Sequence, residues 1–289
     1  MTLRHMKIFV TVFQQGSITG AARELHLAQP SVSLAIKELE NYYGLRLFER
    51  IGRHISPTEG SKEFYNYAIH IVSLFQEMEN WDAVGSIRIG TSITIGTHIL
   101  PALTRRFQRK YPELRLEAFI SKSSDIEQHL LNNSIDIGLI ETQPEHPELT
   151  FTPFMEDTMC AIVPCHHPLA GQAEISLPQL AEYPFLMREH GSAGREILDA
   201  AFALKQISVR PVWESSSTQA IVRGVSEGVG VAVLPYLLVE RDIEEGLVAM
   251  VSLTEPIRRN LNIIYHKSKY LTPNMLAFVE MCKKYGRDN

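Results

Sequence analysis

The chain has 289 residues, enough for two or three compact units that each bury a core. Its 45% hydrophobic and 21% charged content describes a soluble globular protein, and no apolar run approaches the roughly 20 residues of a membrane span. A net charge of −5 argues at first against a nucleic-acid partner, and the sparse cysteines Cys160, Cys165 and Cys282 form no disulfide framework.

In chain order, Leu3, Met6, Phe9, Val10 and Phe13 form the apolar stripe of a first helix, with no signal-peptide cleavage site, so the expected compartment is the cytoplasm. Ser17 can cap a second helix whose inward positions are Ala21, Ala22 and Leu25, small enough for another helix to cross closely. After the connection His26-Leu27-Ala28, Gln29 and Pro30 open a third helix, proline being suited to a first helical position. Val32, Ile36 and Leu39 then face inward, which leaves Ser31, Ser33, Leu34 and Lys37 outward. The pair has the form of a helix-turn-helix. Its short outward hydroxyls let a backbone approach a major groove, where Lys37 neutralises a phosphate or reaches guanine; the plain alternative is a solvated face in an ordinary bundle. Leu45–Arg50 and Ile55-Ser56-Pro57 read as short strands around the turn Ile51-Gly52-Arg53-His54, a wing with Arg50 and Arg53 at its tip.

AAREL, AQPSVS, I-x-x-LE, G-x-x-LFER and Pro57-Thr58-x-x-Gly together resemble the winged helix-turn-helix of the LysR-type transcriptional regulators. The likeness is specific over the first eighty or so residues and weaker beyond. Leu34 stands where the family often carries a polar or basic groove residue, and Gly20 where a larger polar one is common, so base preference does not transfer from relatives. The charge distribution agrees with double-stranded DNA as a partner. Residues 1–60 hold seven Lys/Arg against five Glu, while the remainder holds 21 against 28 acids, a mildly basic head on an acidic body.

Behind the wing, Thr58 is the expected cap of a helix running to about Trp81. Phe64, Ala68, Ile71, Phe75 and Met78 are spaced as a heptad seam, flanked by Tyr67, Leu74 and Trp81. A seam of roughly 20 residues is about 30 Å long, more than the small head can bury, so a partner helix and a homodimer are implied. Paired heads predict a pseudo-palindromic operator with half-sites about one helical turn apart or a multiple of it. The resemblance adds coiled-coil-like dimerisation, a homotetramer, and RNA polymerase as a further candidate partner.

From Gly85 onward, strands at 87–90, 114–120 and 135–140 alternate with helices at 97–111 and 124–132. A second set follows, with strands at 158–163, 212–214 and 231–234 and helices around 194–204 and 218–227; a strand at 261–265 and a helix from Pro273 close the chain. The order predicts an α/β body of two Rossmann-like lobes, with crossings near 160–165 and 262–268. The division expected is a head at 1–58, a linker at 59–84 and an effector-binding region at 85–289, lobe I being about 85–161 and 265–289 and lobe II about 162–264. It resembles the periplasmic solute-binding proteins, as the effector domains of LysR-type regulators do.

Ligands of such sheets sit beyond the strand carboxyl ends, against helix amino termini. Those points carry Thr91, Ser92 and Thr94, then Ser121, Ser123 and Ser124, then Ser215, Ser216, Ser217 and Thr218. Such clusters donate to a small anion, although single members also serve as helix caps. Thr91, Ser92, Thr94, Ser121, Ser123, Ser217 and Thr218 are the effector candidates; Lys122, Arg188 and Arg195 add charge at positions the sequence does not place. No cofactor or metal is expected: Cys160, Cys165, His166 and His167 lack the paired spacing of a zinc site, and no GxSxG elbow, HExxH helix or P-loop occurs. By resemblance, an effector changes the angle between lobes, then dimer packing, then DNA bend. The rival readings are an enzyme or solute binder with a vestigial head, marked by turnover or by ligand binding without DNA binding, and an architectural DNA binder, marked by a collapsed apolar cleft.

Overall fold

The computed structural model describes residues 1–51, 54–79 and 85–288. The head begins with helix α1 (Leu3–Gln15), α2 (Ile18–Glu24) and α3 (Gln29–Tyr43), followed by the antiparallel strands β1 (Phe48–Ile51) and β2 (His54–Pro57). Ser17 caps α2, its Oγ accepting from the Gly20 N–H at 3.1 Å. Gly44, at φ +66°, ends α3 in the left-handed region that a glycine enters without strain. Phe9, fully buried, anchors the head core, with Phe48 and Phe64 ring centroids 5.6 and 5.0 Å away.

Helix α4 (Glu59–Glu79) leaves the wing; Trp81 lies outside the described residues. Thr58 stands immediately before α4, where its carbonyl accepts from the Ser61 N–H at 3.1 Å and its hydroxyl donates to the Arg46 carbonyl at 2.6 Å, tying the helix start to the wing base. Tyr65, Ala68, Ile69 and Val72 belong to the head core, with Tyr65 stacked on Phe13 at 4.1 Å.

The body continues with β3 (Ser86–Thr91), α5 (Ile93–His98), α6 (Leu100–Lys110), β4 (Arg115–Ile120), α7 (Ser123–Leu131), β5 (Ile137–Ile140) and β6 (Leu149–Val163). Then come β7 (Glu174–Ile175), α8 (Leu177–Leu180), β8 (Leu186–Arg188), α9 (Ala193–Leu204), β9 (Trp213–Ser215), α10 (Thr218–Ser226), β10 (Ala232–Pro235), α11 (Tyr236–Glu244), β11 (Ala249–Leu253), β12 (Arg258–His266) and α12 (Pro273–Asp288). The main sheet runs β4-β3-β5-β12-β6-β11-β7, with β10 also paired to β6. In lobe I, β3 is parallel to β4 and β5. Phe107 and Phe278, from α6 and α12, cover one face, and Ile126 and Leu130 of α7 cover the other.

The long strand β6 serves both lobes. Leu149–Thr158 pairs with β12 in lobe I, and Met159–Val163 pairs with β10 and β11 in lobe II. The crossings therefore fall at about 158 and 257, not near 160–165 and 262–268, and β12 belongs to lobe I through its pairing with β5. The sequence hides this because Pro153 reads as a strand breaker. Here it sits at a register shift between Leu261 and Asn262, the kind of bulge where an interior strand accommodates proline. Similarly, the expected helix at 97–111 is two helices that start earlier, at Ile93. Gly96 permits this: a Cβ there would meet Thr91 Oγ1 at 2.7 Å and Ile120 at 2.8 Å, so only glycine lets α5 lie so close to β3 and β4.

Candidate functional site

On α3, Val32, Ala35, Ile36 and Leu39 are buried, while Gln29, Pro30, Ser31, Leu34 and Lys37 are exposed and Ser33 is half-buried. Leu34 keeps 57% of its surface, a large apolar side chain facing out of the head. The Gln29 amide donates to Ser33 Oγ at 2.9 Å, so the two polar groups stand together on that face. The Glu40 carboxylate accepts the N–H groups of Leu47 and Phe48 at 2.8 and 3.3 Å, which fixes the wing to α3. Arg53 and the Arg50 side chain lie outside the described residues.

The expected linker seam is displaced along the helix surface. Ala68 is 1% exposed and Phe64 packs against Phe9 and Tyr43, so both serve the head's own core. The outward stripe is Tyr67, Ile71, Leu74 and Met78, again at 4, 3, 4 spacing, with Ile71 47% and Met78 67% exposed. Phe75 flanks it, with Lys7 Nζ 5.5 Å from its ring centroid. The two seams differ by less than one helical turn, and packing within the head, against Phe9 of α1 and Tyr43 of α3, distinguishes them.

Between the lobes lies a cleft of about 580 Å³, counting its open mouth. Ser92 and Thr94 at the start of α5, and Lys122 and Ser123 at the start of α7, contribute from lobe I; Arg188, Glu189, Ser192 and Arg195 contribute from lobe II. Glu141 and Arg259 also line it. Four cations and two carboxylates line the cleft among apolar side chains such as Met159 and Leu234, so it is not the collapsed, wholly apolar interior of the architectural alternative.

Ser92 is 3% exposed, and its Oγ has no hydrogen-bond partner among the described residues; neither has Thr91 Oγ1. Thr91, however, sits under α5 and does not line the cleft. Ser123 lines it, and its hydroxyl donates to Glu141 at 3.3 Å. Ser121 donates instead to Asp125 at 2.5 Å, away from the cleft lining. The third hydroxyl cluster does not converge with the others. Ser217 caps α10 by accepting from the Ala220 N–H, and Thr218 acts at one remove, accepting from Arg188 Nη1 at 3.0 Å.

The arginines are heavily partnered. Arg188 donates through Nε and Nη2 to the two Glu189 carboxylate oxygens at 2.8 and 3.2 Å. Arg195 pairs with Asp199 at 2.8 Å and donates to the Arg188 carbonyl at 2.8 Å. Arg259 pairs with Asp157 at 2.7 Å beneath the cleft, all but sealed from solvent. Lys122 has no acidic partner among the described residues. Sequence reasoning had no signal for Glu141, Glu189, Ser192 and Arg259, because they come from three separate segments that only the crossing strands and lobe II bring together.

In the far strand half, Cys160 is buried, and burial with Asp157 nearby pushes its thiol up to about 12; Cys165 is exposed in the following turn. Among the described residues no helix is long and apolar enough to cross a membrane.

Comparison with known proteins completes this picture. Residues 3–61 match the bacterial regulatory helix-turn-helix proteins of the lysR family, and residues 82–287 match the LysR substrate binding domain. The chain is 33% identical over 287 residues to the RuBisCO operon transcriptional regulator of Allochromatium vinosum, covering 97% of this chain and 95% of that one. It is 32% identical over 285 residues to the HTH-type transcriptional regulator CysL of Bacillus subtilis, covering 96% and 95%. Full-length OxyR from Pseudomonas aeruginosa shares the fold, with a TM-score of 0.73 at 22% identity, covering 99% of this chain and 95% of that one. The regulatory domain of Synechocystis CcmR, solved in complex with 2-PG, aligns with a TM-score of 0.66 at 25% identity over 71% of this chain and 98% of that one. With a winged helix-turn-helix ahead of a two-lobe effector-binding region, the chain belongs to the LysR family of DNA-binding transcriptional regulators.

Proposed function

We propose that this regulator reads a pseudo-palindromic operator with the exposed face of α3 and is governed by a small anion seated between its lobes. Gln29, Pro30, Ser31, Ser33, Leu34 and Lys37 meet the major groove, and Arg50 and Arg53 of the wing reach the flanking backbone. Heads pair through the α4 stripe Tyr67, Ile71, Leu74 and Met78, with Phe75 at its flank; Phe64 and Ala68 shape the head that the stripe carries. Dimers assemble into a tetramer, and RNA polymerase is the partner through which bound DNA would be read out in the cytoplasm. No catalytic step is assigned.

The observation that carries the effector reading is the buried, unpartnered Ser92 hydroxyl in the same cleft as Lys122, opposite the arginines of lobe II. A buried hydroxyl without a partner costs about 1–3 kcal/mol, and a bound oxyanion would remove that penalty. An effector that binds one lobe angle more tightly than another shifts the angle, the packing of dimers and the bend imposed on DNA. That the CcmR regulatory domain, of the same fold, was solved in complex with 2-PG supports the reading that this region of the chain takes a small ligand.

Titrating the full chain with malonate, sulfate and phosphate, and following thermal unfolding together with operator binding by fluorescence anisotropy, tests the reading. Ser92→Ala and Lys122→Ala are expected to reduce anion-induced stabilisation while leaving operator affinity in the absence of anion unchanged. Stabilisation by anions that is indifferent to both substitutions would refute it.

A further inference from the structure

One cation of the cleft is partnered in an unusual way. Asp199 and Glu214 neutralise Arg195, and Asp157 neutralises Arg259 from beneath the floor, with the cleft-lining Glu141 at 3.8 Å. The carboxylate on Arg188 belongs to Glu189, which lines the cleft, is the next residue in the chain and engages the guanidinium through both of its oxygens. Successive residues of a continuing strand point to opposite faces and do not pair. Here β8 ends at Arg188. The Glu189 N–H donates to the Ser215 carbonyl at 3.3 Å, and the Glu189 carbonyl accepts from Ser192 at 3.3 Å, so the chain turns toward α9 and the Glu189 side chain doubles back. Both guanidinium positions facing Glu189 are taken, in the forked geometry by which an arginine holds an oxyanion, and Thr218 fixes the remaining amino group. Arg188 is 9% exposed, too buried to stand without an anionic partner.

We propose that Glu189 is an internal stand-in for the effector: its carboxylate holds the oxyanion position on Arg188 in the empty cleft, and the oxyanion group of the ligand displaces it. This rests on reading the cleft as an anion site. Two properties follow. A tethered carboxylate competes at an effective concentration of about millimolar or above, so anions that offer nothing more than charge are screened out, while a ligand that also reaches Ser92 and Lys122 prevails. The displaced Glu189 begins the segment 189–192 that leads into the cap of α9, where Gly191 stands at φ +79°, so exchange at Arg188 changes the contacts of lobe II between the empty and filled states.

The test uses the full chain, with malonate, sulfate and phosphate each titrated by calorimetry and by thermal unfolding. Glu189→Gln is expected to unfold at a lower temperature than the parent without anion, to regain more of that temperature on adding anion, and to bind at least one probe about tenfold more tightly. Glu196→Gln removes an equal charge from the first turn of α9 without touching Arg188, and is expected to leave affinity unchanged. Ser92→Ala in the Glu189→Gln background is expected to abolish the gain. Should Glu189→Gln not fold, Glu189→Asp, one methylene shorter, is expected to show a smaller gain in the same direction. Unchanged or weaker binding by both Glu189 variants, with binding in the parent still lost in Ser92→Ala, overturns this inference alone. An equal gain in Glu196→Gln, or a gain that survives Ser92→Ala, also overturns it. No binding of any probe to any form removes the anion site and this inference with it.

Discussion

The junction between α4 and lobe I rests on two imidazoles whose protonation is opposed by their surroundings. The rings of His70 and His266 lie 4.6 Å apart, and the Ser268 hydroxyl stands 3.1 Å from His70 Nδ1 and 2.8 Å from His266 Nδ1. Burial, reinforced by His70, His146 and Lys269 and opposed by Glu148, lowers His266 from 6.5 to about 4. Burial also lowers His70, with the Asn66 carbonyl opposing and Lys269 assisting. Lys269 is itself held by Asp136 at 2.7 Å and Asn133 at 3.0 Å. Glu148, 3.9 Å from His266 Nε2, therefore faces a neutral ring at pH 7 and forms no ion pair there. The unfolded imidazole takes its proton near 6.5 and the folded one only near 4, so the contribution of His266 is complete above 6.5 and is lost as pH falls from there toward 4. At about 1.36 kcal/mol per pH unit, the loss approaches roughly 3 kcal/mol, most of it by pH 4.5. Urea denaturation of the parent and of His266→Asn, each also in a His70→Asn background, followed by circular dichroism between pH 7.5 and 4.5, separates this contribution from that of the adjoining His70. The expected result is a steeper decline for the parent by about 2–3 kcal/mol. Parallel profiles would refute the assignment of a buried neutral ring.

Lys37→Ala should weaken operator and non-specific duplex alike and reduce the slope of log affinity against log salt by about 0.9 per head, near 1.8 for a dimer; an unchanged slope places Lys37 off the phosphates. Ile71→Glu should shift the sedimenting mass toward the monomer with little change in melting of the head. Ala68→Glu should instead unfold the head, and the reverse ordering would return the seam to the register expected from sequence. A thiol reagent at pH 8 should modify one cysteine per native chain, Cys165, while Cys160 and Cys282, both buried and raised, react only on unfolding; fast labelling of two sites contradicts the packing.

The head was legible because its signals are local: the Ser17 cap, Pro30 at the start of α3 and the period of Val32, Ile36 and Leu39 each act within one or two turns. The apolar face of the linker helix was legible but its phase was not, because Phe64 and Tyr67 are both large aromatics and only the packing against α1 and Tyr43 turns Phe64 inward. In the body, β5 announces itself as an apolar run and β3 as the alternation of Ile87 and Ile89 with Arg88. β6 does not, with Pro153 at its bulge and alternating exposure over its first half. The cleft was half visible: Ser92, Thr94 and Ser123 come from the two strand-to-helix turns that the α/β rule marks. Ser217 looked equivalent to them but is consumed in capping α10. Glu189 gave no sign at all, since its role depends on the strand ending one residue earlier.

Both lobe crossings are carried side by side, with Met159 N–H bonded to the Ile257 carbonyl at 2.9 Å and the sealed Arg259–Asp157 pair one step away. Two strands laced together in this way behave as a flexure rather than a swivel: they resist sliding and twisting but bend across their common plane. Under the proposed function, ligand free energy delivered to the cleft would be channelled into a single bending coordinate between the lobes.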